Sequence, residues 1–222
     1  DKTGNIKQLV FAEEQGSYLV GAAAAMKSES GRLGFIGGVE TEPIKKFEAG
    51  YVAGAMKVNP DIKVDVQYIT QPPDVDGFND PAKAKTIAKS MYDGGADVVF
   101  HASGASGSGL FEAAVEANGG GDTTKWAIGV DSDQYDLVPE DQQAVILTSM
   151  LKRVDVAVYD TIKSVVDGTF QGGVKDLGLA EEGVGYALDE YNQALIPEEV
   201  KARLEELKQA IINGEIQVPE TR

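Results

Sequence analysis

Asp131 closes the apolar run 126–130, and Lys152 follows the next apolar run, which begins at Val145. A carboxylate at one strand exit and an ammonium past the next would suit a polar, hydroxyl-rich small molecule, because open parallel sheets hold ligands where strands stop and loops begin. Two further loops carry chemistry. Phe78 stands in the otherwise polar run 74–80, where an aromatic ring either plugs a local core or offers a face for stacking. The segment 101–109, HASGASGSG, places Gly104, Gly107 and Gly109 after another apolar run. Glycines there let backbone N–H groups approach a ligand with no Cβ in the way, or simply make a tight strand-to-helix turn.

Several chemistries are excluded at these positions. The glycines read G-x-x-G-x-G, the wrong order for a dinucleotide loop, although Asp131 stands where the ribose-binding acid would follow. His101 is the only histidine and directly follows an apolar run, as a hydrogen-bonded interior side chain would. Gly104-Ala105-Ser106-Gly107 is one residue short of a nucleophile elbow, so no hydrolase triad is expected. Asp131, Asp133 and Asp136 resemble the start of a calcium loop, but Asp136 and Gln142 occupy the positions that need Gly and Glu. With no cysteine and one histidine, two-histidine and thiolate metal sites are ruled out. The chain is expected to need no cofactor or metal and to be no enzyme.

The 222 residues are 42% hydrophobic, enough for one large or two small domains with a core. A net charge of −16, with no basic stripe, argues against binding nucleic acid through phosphates or adhering directly to anionic lipid. No apolar run approaches the ~20 residues of a membrane span. The opening Asp1-Lys2-Thr3-Gly4 is no signal peptide, so any targeting segment is expected to have been removed or left out.

The elements that must position these residues alternate in type. Apolar runs predict strands over 7–11, 32–36, 63–69, 97–101, 126–130 and 145–149; helices are expected over 17–27, 43–57, 81–93, 109–118 and 154–167. That alternation predicts a mostly parallel α/β sheet. Asp80 and Pro81 form a helix start, and Ala84, Ile87, Ala88 and Met91 its apolar face, with Gly94-Gly95 as the left-handed exit. Pro197 opens a last helix with an apolar stripe at Val200, Leu204, Leu207 and Ile211. Parallel connectivity would bring the loops at Gly37-Gly38, 70–80, 102–109 and 131–136 to one sheet edge.

The runs EEQGSYLVGAAAAM, GRLGFIGGVETEPIKKFEAGYVAGAMKVNPDI, GFNDPAKAK, YDGGADVVFHASGASGSGLFEAA, WAIGVDSDQ and ILTSMLKRVDVAVYD closely resemble the basic membrane protein family, almost end to end and in the right order. These are substrate-binding lipoproteins of ABC transporters, the purine nucleoside receptors among them. The resemblance implies a type I periplasmic-binding-protein-like α/β fold, two lobes joined by a three-stranded hinge, with most of the first lobe and the lipid-anchor cysteine absent from this chain. It divides the chain into 1–16, the last strand of the first lobe and hinge; 17–145, the second lobe; 146–175, a hinge strand and helix returning to the first lobe; and 176–222, a C-terminal hinge segment and helix.

The same resemblance implies a nucleoside ligand, a purine favoured, with an ABC permease as partner and a lipid-anchored, extracytoplasmic location. By it, Phe78 would stack on the base, Gly104 would approach through its backbone, Asp131 would accept from ribose hydroxyls, and Lys152 would hydrogen-bond the ligand near the hinge. A surface uncovered by the absent lobe would favour self-association. The alternative is the ligand-sensing domain of a transcriptional regulator, which reuses the same fold.

Overall fold

The computed structural model describes residues 4–222; Asp1–Thr3, where the expected first segment begins, lie outside the described residues. The chain runs β1 (Lys7–Phe11), α1 (Glu13–Lys27), β2 (Arg32–Val39), α2 (Glu42–Val58), β3 (Lys63–Thr70), α3 (Pro81–Asp93), β4 (Val98–Ala102), α4 (Ser108–Asn118), β5 (Trp126–Asp131), α5 (Glu140–Gln143), β6 (Ile146–Lys152), α6 (Val154–Val166), β7 (Gly173–Leu177), β8 (Val184–Tyr186) and α7 (Glu198–Ile212). Six strands form one sheet in the order β3-β2-β4-β5-β6-β8, parallel except for β8. β1 and β7 pair in parallel as a separate two-stranded sheet.

Each face of the large sheet buries its own core. One side holds α1, α2 and α7, with Phe35, Phe100, Tyr51, Leu147 and Leu204 in a single cluster. The other holds α3 and α4, with Ile36, Val99, Met91 and Phe111. Strands covered on both faces read as continuous apolar runs rather than alternating ones, as VVFHA and WAIGV do. The alanine- and glycine-rich α1 is buried nearly all round because α2 lies hard against it. A Cβ on Gly54 would collide with the Tyr18 carbonyl, and one on Gly21 with that of Tyr51.

Local signals set most element ends. The Asp80 carboxylate accepts from the Lys83 N–H at 2.9 Å, capping α3 as expected, and Gly95 takes the left-handed exit at φ +96°. Three boundaries differ from the sequence expectation by more than one residue. α1 starts at Glu13 instead of Ser17, because the Ala12 N–H donates to the Leu177 carbonyl and turns the chain straight out of β1. β2 continues to Val39, whose partner on β3 is Thr70. β6 runs on to Lys152 because β5 pairs with it through Leu151 and the antiparallel β8 pairs with Met150, Leu151 and Lys152; Lys152 is therefore the last residue of the strand, not a residue beyond it.

The chain passes between the small and large sheets three times, after β1, after β6 and after β7. These crossings are tied together by backbone bonds from Ala12 to Leu177 and from Arg153 to Gly183. α6 leaves the large sheet at Arg153 and buries only Ala157.

Candidate functional site

The carboxyl ends of β2 to β6 form one edge, and all four residues singled out in the sequence lie along it. The strand order reverses between β2 and β4, since β3 lies outside β2 while β4 and β5 lie on its other side. Such a reversal opens a crevice at the strand ends, the usual ligand position in this architecture. Phe78 sits there. It ends a short turn, Asp76–Phe78, and its ring lies so close to Gly38 at the end of β2 that a Cβ on Gly38 would collide with it.

On the other side Phe78 meets Gly104, which has φ +56°; a Cβ on Gly104 would lie 3.4 Å from the Phe78 carbonyl oxygen and 3.6 Å from its Cβ. Ser106 locks the two loops together. Its hydroxyl donates to the Gly77 carbonyl at 2.8 Å and accepts from the Asp80 N–H at 2.7 Å. Phe78 is half-buried, with its inner edge packed on glycine backbone.

Asp131 and Lys152 form the other end. Both line an open groove of about 440 Å³ together with Ser132, Asp133, Leu151, Arg153, Val154 and Asp155. Asp131 ends β5 in the left-handed region at φ +67°, a conformation Asp tolerates better than most residues. The protein around its carboxylate raises its pKa by desolvation; Lys152 opposes this and Glu13 adds to it. Asp133, one loop position further, is pushed up to about 6 by desolvation first, then by the side chain of Asp189.

A buried hydrogen-bond network joins the two ends from beneath. Gln134 Oε1 accepts from the Val130 N–H at 2.8 Å, which identifies that atom as the amide oxygen. His101 Nε2 lies 2.9 Å from the same oxygen and must therefore donate. Nδ1 is left to accept from the Ser103 hydroxyl at 3.1 Å. His101 is thus the interior, hydrogen-bonded residue its apolar neighbours implied. Desolvation lowers its pKa to about 4, against a smaller upward pull from Gln134, so the ring is neutral at physiological pH. Through it the Gly104 loop and the Asp131 loop are held in fixed relation.

Glu13 was missed in the sequence. Its Oε1 lies 2.6 Å from Lys152 Nζ, and both side chains are largely buried. The ammonium also lies 5.1 Å from the centre of the Phe11 ring and 5.9 Å from that of Phe47. In sequence, Glu13 is simply an acid in the first turn of a helix, the commonest place for one. Only its reach to β6 distinguishes it.

From the crevice at β4 to the end of β6 is two strand spacings, about 10 Å. The edge therefore presents an aromatic ring and exposed backbone at one end, and a carboxylate beside an ammonium at the other. Among the described residues no group of three or more His, Cys, Asp or Glu side chains is arranged to hold a metal ion.

Comparison with known proteins agrees with this architecture. The family profile described as ABC transporter substrate-binding protein, PnrA-like, matches residues 1–222. The CD4+ T-cell-stimulating antigen of Listeria monocytogenes is 40% identical over 99% of this chain and 61% of its own length. The ABC transporter nucleoside-binding protein BmpA of Lactococcus lactis is 38% identical over 97% of this chain and 60% of its own. The crystal structure of an ABC transporter solute-binding protein from Aeropyrum pernix superposes with a TM-score of 0.80 at 30% identity, covering 97% of this chain and 67% of that one. The chain thus spans about 60% of the length of the curated relatives it matches.

Proposed function

The chain belongs to the family of PnrA-like ABC transporter substrate-binding proteins, and from that premise we propose that it binds a nucleoside, with purine nucleosides preferred, along the carboxyl edge of its six-stranded sheet. Members of that family are binding proteins rather than enzymes, and this site is read as one that holds a ligand without changing it. In the proposed complex Phe78 stacks on the base while the backbone at Gly104 lies against it. Asp131 accepts from the ribose hydroxyls, and Lys152 donates to the ligand at the hinge side.

The observation that carries this reading is the order of residues along the edge. The stacking ring stands at the topological switch point, and the hydroxyl acceptor and ammonium share a groove two strands away. Stacking an aromatic side chain on a base contributes about 1–3 kcal/mol, and a hydrogen bond to a charged group about 1.5–3 kcal/mol. The name of the Lactococcus lactis relative supports the ligand class. In the wider proposal the protein delivers its ligand to an ABC permease from an extracytoplasmic, lipid-anchored position.

Titration calorimetry of the gene's complete product with inosine, adenosine and guanosine tests the reading. Saturable binding of at least one is expected, and no detectable heat with any of them rejects the ligand class.

A further inference from the structure

We propose that Glu13 sets the ligand charge that this groove accepts, holding Lys152 in an internal ion pair so that an uncharged nucleoside is selected over its 5′-phosphate. The inference rests on the nucleoside reading above and adds a selectivity to it. An ammonium at the end of a strand, in a groove, is ordinarily a place for phosphate. Here its charge is already met. Lys152 Nζ is 2.6 Å from Glu13 Oε1, and the side chains are only 22% and 9% exposed.

Glu13 cannot follow the lysine outward. It is the first residue of α1, and the chain before it is fastened by the bond from Ala12 to the Leu177 carbonyl. Were Lys152 to turn to a phosphate, Glu13 would stay behind, buried and without its partner, which is costlier than breaking an exposed pair.

The remaining charges of the groove point the same way. Arg153, its other cation, pairs with Asp155 at 3.5 Å. Asp131 and Asp133 make no ion pair among the described residues. A phosphate dianion entering the groove therefore meets carboxylates whose cations are committed elsewhere. A neutral nucleoside meets hydrogen-bond acceptors for its hydroxyls and, at Lys152, donors that the ion pair leaves over.

Calorimetry of the gene's complete product with guanosine and guanosine 5′-monophosphate tests this, in the wild type, Glu13→Gln and Glu14→Gln. Glutamine keeps the shape and an acceptor for Lys152 but removes the charge; Glu14, the neighbouring buried acid, controls for a general field effect. The wild type is expected to bind the nucleoside much more tightly than the monophosphate. In Glu13→Gln the ratio of monophosphate to nucleoside affinity should rise about tenfold or more, and the gain should shrink with added salt. A ratio unmoved within about twofold, an equal shift in Glu14→Gln, or wild-type protein that binds both ligands equally would overturn the proposal.

If Glu13→Gln does not fold, Glu13→Asp, which draws the carboxylate back by one methylene, replaces it. A severalfold rise in the same ratio is then expected, and an unmoved ratio overturns the proposal. Wild-type protein that binds neither compound refutes the nucleoside reading and the selectivity with it, whereas nucleoside binding with an unmoved ratio refutes the selectivity alone.

Discussion

Phe78 and Asp131 contribute different interactions to one ligand, and their removal should be separable from folding. Phe78 is half-buried and Asp131 reaches solvent, so neither holds the core together. Phe78→Ala and Asp131→Ala are each expected to weaken nucleoside binding by at least about 1 kcal/mol. Calorimetry beside a thermal melt separates the two effects; two folded variants that bind like wild type would remove both residues from the site. Proton linkage gives a second residue-scale expectation. His101 is depressed from 6.5 to about 4, so its contribution to stability is complete above 6.5 and is lost as the pH falls through 4. Asp133 has the opposite sign. Raised from 3.8 to about 6, its contribution is complete at acid pH and is lost as the pH rises through 6, where the ionised carboxylate is poorly solvated and also faces Asp189 and Asp136. Asp133→Asn should therefore stabilise the protein at pH 7 by about 1 kcal/mol after solvent screening, with the gain closing at pH 4. Denaturant melts at the two pH values measure it, and an equal effect at both would place the cause outside this titration.

At the scale of elements, the close approach of α1 and α2 positions Glu13 and Phe47 beside Lys152. That approach depends on glycines at the contact: Gly54 lies under the Tyr18 carbonyl, where a methyl group has no room. Gly54→Ala is expected to destabilise the fold by about 1–3 kcal/mol through overpacking, outweighing the gain in helix propensity. A denaturant midpoint at or above wild type would mean that the helices can part without cost. The ends of the strands matter as much as the helices. β5 pairs with β6 as far as Leu151, and β8 carries the pairing one residue further to Lys152, so the antiparallel edge strand fixes the residue that bears the ammonium.

At the scale of the whole molecule, among the described residues, α6 and β7 leave apolar side chains in water. On α6, Tyr159 is 66%, Ile162 60% and Val166 80% exposed, and Val174 on β7 is 65% exposed. A helix with an uncovered apolar stripe favours association despite the net charge of −16, which opposes it. This chain by itself is therefore expected to self-associate at rising concentration, and Tyr159→Lys with Ile162→Lys to suppress it. Light scattering over a concentration series measures both, and a wild-type chain that stays monomeric throughout rejects the expectation.

The sequence by itself determined the alternation of strands and helices, the cap at Asp80, and the standing of Phe78, Gly104, Asp131 and Lys152 at strand exits. Each of these is a local property, written in periodicity and in the residue types at a boundary. Even the interior, hydrogen-bonded character of His101 followed from the apolar run before it. The tertiary structure decided what those residues touch. Glu13 and Lys152 are 139 positions apart, and His101 and Gln134 are 33 apart. The position of Phe78 in the switch crevice follows from strand order, which no single segment encodes. Contacts between distant segments leave no local pattern, because a side chain's partner is chosen by the packing of whole elements. The aromatic ring and the acid could thus be named from the chain alone, while the charge state of the groove between them depended on a partner that only folding brings to Lys152.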